Sequence, residues 1–110
     1  MPTATYKVLA QSAPSATTNT DIYTVASATQ VVISSIVACN RSASSATYRI
    51  AVRPNGATLA NQHYIVYDGT LPANDTISLT IGVTADAADV VTVYASSANL
   101  SFNLFGSEIA

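Results

Sequence analysis

The 110-residue chain has no tryptophan, one cysteine, one histidine, one methionine and four glycines, and charged side chains make up only 9% of it. Each shortage excludes something. A single cysteine leaves no partner for an intrachain disulfide, so packing alone must hold the fold. A lone histidine, with no second histidine or cysteine beside it, cannot build a zinc site. The glycines at 56, 69, 82 and 106 are too dispersed for a phosphate-cradling loop. Four basic residues, Lys7, Arg41, Arg49 and Arg53, stand against six acidic ones for a net charge of −2. That is no basic stripe for displacing counterions from phosphates, so nucleic acid is not an expected partner. No apolar run approaches the roughly 18 residues of a membrane helix. The opening MPTATYKVLAQSAP has neither the basic nor the long apolar region of a secretory signal, so synthesis in a cytoplasm is expected, with no membrane partner.

What the chain does have is small neutral side chains: 27 serines and threonines and 19 alanines. A surface made of them is cheap to desolvate and offers little repulsion between copies. Short β-branched and aromatic runs recur between clusters of Ser, Asn, Asp, Pro and Gly. They predict strands over 5–10, 21–26, 30–40, 47–53, 62–68, 75–81, 90–95 and 100–105. Alternation predicts inward faces of Tyr48, Ile50 and Val52, of Ile77, Leu79 and Ile81, and of Leu100, Phe102 and Leu104. Pro54-Asn55-Gly56, Asp68-Gly69 and Pro72-Ala73-Asn74-Asp75 carry turn chemistry. TADAAD, 84–89, predicts a single helical turn or a loop. About eight short strands so spaced make an all-β fold, an antiparallel β-sandwich or jelly roll. A single domain over 1–110 is expected, with residues 1–4 a flexible arm that the polar loop 11–20 would let reach a neighbour.

The stretch VVISSIVACNRSASSATYRIAV, 31–52, holds Cys39. Strict alternation puts Val31, Ile33, Val37 and Cys39 on one face and Val32, Ile36 and Ala38 on the other. Cys39 then reads as a small buried hydrophobe. A Cys39–His63 pair with Asn40 as third member would make a thiol enzyme, but nothing in the sequence brings them together, and no enzyme activity is expected. His63 reads as a half-buried strand residue in phase with Ile65 and Tyr67. TADAAD supplies two carboxylates where calcium loops use three or more oxygen side chains, so Asp68, Asp75, Asp86 and Asp89 read as turn formers and no metal or other cofactor is expected. Six tyrosines could supply stacking faces for a sugar. Arg41 in the 40–46 turn, Arg49 and Arg53 on one strand, and Tyr64 are the candidate interface residues.

Two longer stretches look familiar. DIYTVASATQVVISSIVACNRSASSATYRIAVRPNG has an Ile-Tyr-Thr-Val strand, a long apolar strand ending in Cys-Asn, a Ser/Ala/Thr hairpin and an Arg-containing strand. LPANDTISLTIGVTADAADVVTVYASSANLSFNLFG continues the pattern to a final apolar strand. Together, over roughly 5–106, they resemble the small β-sandwich virion proteins of tailed bacteriophages, departing at Ala26, where such sequences often carry proline. The resemblance implies a capsid decoration or cement subunit located in the virion. The alternative it implies is a tail, baseplate or fibre module that binds a receptor or glycan. It further implies the major capsid protein or tail proteins as partners, and a homo-oligomer, a trimer first.

Overall fold

The computed structural model describes residues 2–110 and consists of two stacked antiparallel sheets, an all-β sandwich. In chain order the strands are β1 (Ala4–Ser12), β2 (Thr20–Thr24), β3 (Gln30–Asn40), β4 (Ala46–Arg53), β5 (Tyr64–Leu71), β6 (Thr76–Leu79), β7 (Val83–Ala85), β8 (Val90–Ala95) and β9 (Leu100–Ile109). The five-stranded sheet runs β1-β9-β3-β6, with β7 also on β3, and the four-stranded sheet runs β2-β8-β4-β5. Alternating apolar residues of both inner faces, Ile33, Ile36, Phe102 and Leu104 from one and Tyr48, Ile50, Val91 and Val93 from the other, form one continuous core. Tyr48 and Phe102 meet across it with ring centroids 6.4 Å apart.

The predicted inward residues of 47–53 and 100–105 are where alternation puts them. Strand 30–40 is not. Its register against β9 shifts between Ile33 and Ser35, a β-bulge that adds one residue and exchanges the two faces of everything beyond it. Val31 and Ile33 point inward before the bulge; Ile36, Ala38 and Asn40 do so after it. Val37 and Cys39 therefore face out of the sandwich, and Cys39 is half-buried rather than a core residue. The bulge needs Gly106 opposite it: a Cβ there would lie 1.9 Å from the Val32 carbonyl oxygen.

Other differences are local. Asp68-Gly69 makes no chain reversal but sits inside β5, where Asp68 adopts φ 51°. His63 closes a 3-10 turn, Asn61–His63, and accepts the Ala60 N–H on Nδ1 at 3.0 Å, so the strand starts one residue after it. β6 stops at Leu79 and leaves Ile81 50% exposed before Gly82 turns the chain at φ 63°. TADAAD contributes Thr84 and Ala85 to β7, and its remainder is a tight turn in which Asp89 accepts the N–H of Asp86. At the start, Thr3 and Ala110 exchange both backbone hydrogen bonds, at 2.7 and 3.2 Å, so from Thr3 onward the chain is tied to its own β9. Of the arm expected over 1–4, residue 1 lies outside the described residues.

Candidate interaction surfaces

The outer face of the four-stranded sheet carries a tyrosine–arginine cluster, and a second bulge builds it. The β4–β5 register passes from Tyr48 opposite Gly69 to Ile50 opposite Val66, so Tyr67 and Asp68 together stand against Arg49. Asp68 accepts from Arg49 Nε at 2.7 Å and from its terminal nitrogen at 3.3 Å. The rings of Tyr67 and Tyr94 each lie 4.3 Å from the guanidinium carbon. Tyr64 meets Tyr67 edge-on at 4.9 Å, and Asn61, Tyr64 and Tyr67 line a shallow depression of about 360 Å³. Tyr67 is 59% exposed. The candidate residues Arg49 and Tyr64 thus belong to one cluster, completed by Tyr67, Asp68 and Tyr94. The signal for the cluster was Asp-Gly inside a strand pattern, which marks a bulge as well as a turn.

Arg53 lies farther along β4 in a closed polar network. Its terminal nitrogen is 2.8 Å from Asp21 Oδ2, its Nε donates to Thr92 Oγ1 at 3.0 Å, and Thr92 donates to Asp21 Oδ1 at 2.8 Å. The other terminal nitrogen donates to the carbonyls of Gly56 and Ala57. Its role is to join β2, β8, β4 and the Pro54–Gly56 turn. Arg41 sits in the exposed 40–46 turn and donates to the Ala98 carbonyl at 3.0 Å. With Lys7 at 3.0 Å from Glu108, each of the four basic side chains has an acceptor within the chain.

Asn40 organises the 40–46 turn. It is buried, and its amide donates to the carbonyls of Ser44, Leu71 and Pro72 at 2.8, 3.2 and 3.2 Å. Its oxygen accepts the Ser42 N–H and hydroxyl at 3.0 and 2.9 Å. An Asn ending a strand before Ser-x-Ser is the sequence trace of such a side-chain-closed turn. Cys39 is on β3 of the five-stranded sheet and His63 adjoins β5 of the other, so the structure does not bring the thiol and the imidazole together. Among the described residues no three His, Cys, Asp or Glu side chains are placed to hold a metal ion. Asp75, Asp86 and Asp89 accept turn N–H groups as expected, whereas Asp68 pairs with Arg49.

The outer face of the five-stranded sheet is different in kind. Tyr6 is 86% and Val8 49% exposed on β1, and beside them Val32 and Phe105 line a depression of about 340 Å³. Compared with protein-family models, curated proteins and solved structures, the chain matches none.

Proposed function

We propose that this chain is a non-enzymatic structural subunit of a bacteriophage virion, a decoration or cement protein that binds the shell through its outer sheet faces. The observation that carries the reading is the surface: every basic side chain is already engaged inside the chain, while Tyr6, Val8, Tyr67 and Ile65 stand exposed. Such a subunit holds a shell by many neutral contacts summed over symmetry-related copies. The resemblance of 5–106 to small virion proteins supports the same reading, as does the placement of Cys39 on one sheet and of His63 in the turn before a strand of the other. Quantitative mass spectrometry of gradient-purified particles from the source phage tests it. Copies on the order of hundreds, comparable with the major capsid protein, are expected. A few dozen or fewer would move the subunit to the tail or fibres, and absence from particles would overturn the virion assignment.

One observation favours a second reading, a glycan- or receptor-binding module. The Tyr64–Tyr67 pair beside Asn61 presents aromatic faces next to hydrogen-bonding groups, the combination that holds a sugar ring. Saturable glycan binding that is lost in Tyr67→Ala and Tyr64→Ala would establish it.

A further inference from the structure

We infer that β1 is a self-complementary edge through which two copies of this chain join, antiparallel and about a two-fold axis at Tyr6. The hydrogen-bond phase gives the first argument. Thr3 and Ala110 exchange both of their backbone bonds, and the register then runs without slip through Thr5 opposite Glu108 and Lys7 opposite Gly106. In an antiparallel ladder such pairs alternate with pairs whose N–H and C=O groups point the other way. Ala4, Tyr6 and Val8 therefore direct their backbone groups away from β9. Among the described residues β1 pairs with β9 alone, and Ala4 to Val8 are all exposed.

The second argument is the contrast between sheet edges, which proteins normally blunt with bulges, breaks, short strands or charge. β2 is short and bulged, β5 carries the Asp68 bulge, and the edge along β3 is split between β6 and β7 by the Gly82 turn. β1 has none of these between Ala4 and Val8. Its one charge, Lys7, is held at 3.0 Å by Glu108.

The third argument is the sequence of the edge itself. Pro2, which has no N–H, and the bulge between Val8 and Ala10 bound the flat segment, and Tyr6 is its midpoint. Antiparallel pairing about Tyr6 sets Ala4 against Val8 of the second copy, Thr5 against its Lys7, and Tyr6 against its Tyr6. The apolar residues of both copies then share the outer face, continuous with the depression formed by Val32 and Phe105. No two lysines stand opposite one another. About six backbone hydrogen bonds close the joint. An edge this short buries less than the roughly 1,200 Å² of a standard stable interface, so the dimer is a weak, concentration-dependent one. This two-fold contact differs from the trimer that the resemblance implies.

Sedimentation equilibrium of the purified full chain over a wide concentration range is the test, beside Ala4→Pro. The proline removes an N–H that β9 does not use, so the circular dichroism of the variant should match the parent. The parent should dimerise reversibly, and Ala4→Pro should weaken the dimer about tenfold or more. If the proline perturbs the fold, a second variant decides. Tyr6→Cys in a Cys39→Ser background brings two thiols to a Cα separation of about 5.5 Å, within disulfide range, and should cross-link on mild oxidation. Thr5→Cys in the same background should not. A parent that stays monomeric at every concentration overturns the proposal and leaves the edge to a strand of another protein. A trimer, or a dimer that survives Ala4→Pro and fails to cross-link through position 6, overturns it as well.

Discussion

Two side chains carry structural roles out of proportion to their size. Asn40, itself buried, donates to three carbonyls and accepts from two donors. Asn40→Asp keeps the shape but removes the donors and buries a charge among carbonyl oxygens. It should cost about 2–4 kcal/mol in urea unfolding, with Asn40→Ser less harmful. An unchanged midpoint would show that the turn closes without it. Glu108 is the other. Hydrogen bonds from Tyr23 and then Lys7 hold its carboxyl below the usual carboxylate range. A depressed folded pKa means stability that is present above the unfolded pKa near 4.3 and lost as pH falls through the folded one. Burial first, then the bond to Glu108, pushes the Tyr23 phenol well up, so its contribution is intact below about pH 10 and lost above it. Thermal melts across pH should therefore fall at both the acid and the alkaline end. Glu108→Gln should flatten the acid limb and Tyr23→Phe the alkaline one.

At the scale of the strand, the bulges in β3 and β5 decide what the sheet faces present. The bulge in β3 requires a residue without a Cβ at 106, whereas Gly82 has open space around it and only a positive φ to satisfy. Gly106→Ala should cost about 2–4 kcal/mol by forcing β9 off β3, and Gly82→Ala about 1 kcal/mol, both read as shifts in denaturation midpoint. Equal costs would mean that β3 can straighten. The same bulge marks the limit of what alternation can tell. Strand 30–40 and strand 90–95 are legible residue for residue, because β-branched runs between polar turns leave few alternatives. The faces of the first are not, because Ser34-Ser35 carries no glycine or proline to announce an added residue. Val37 and Ile36 are equally apolar, so pattern alone could not decide which turned inward. The sequence shows only half of the tyrosine–arginine cluster: it points to Arg49 and Tyr64, whereas Tyr67 and Asp68 join them only because β5 bulges there. β7 is only Val83–Ala85, and its Thr84-Ala85 runs straight into the alanines and aspartates of 86–89, so the whole of TADAAD reads as turn.

For the molecule as a whole, the pairing of charge within the chain bears on how it would hold a shell. Lys7, Arg49 and Arg53 each pair with a carboxylate across strands, and Arg41 closes a turn onto Ala98. A partner that sought a salt bridge with any of them would first have to break an existing contact. Attachment through neutral and aromatic surface is screened little by salt, whereas attachment through unpaired charges weakens as the Debye length shrinks from about 10 Å at 0.1 M to about 3 Å at 1 M. Raising salt over that range should change the affinity of the purified protein for stripped particles by less than about threefold. A tenfold or greater loss would place charged contacts at the centre of the interface. On the proposed shell-binding role, a weak β1 joint would add to this without adding charge: two copies linked at Tyr6 would offer two binding surfaces, and the second contact would form at high effective concentration. On that role, Ala4→Pro should loosen binding to the particle while leaving its small dependence on salt unchanged.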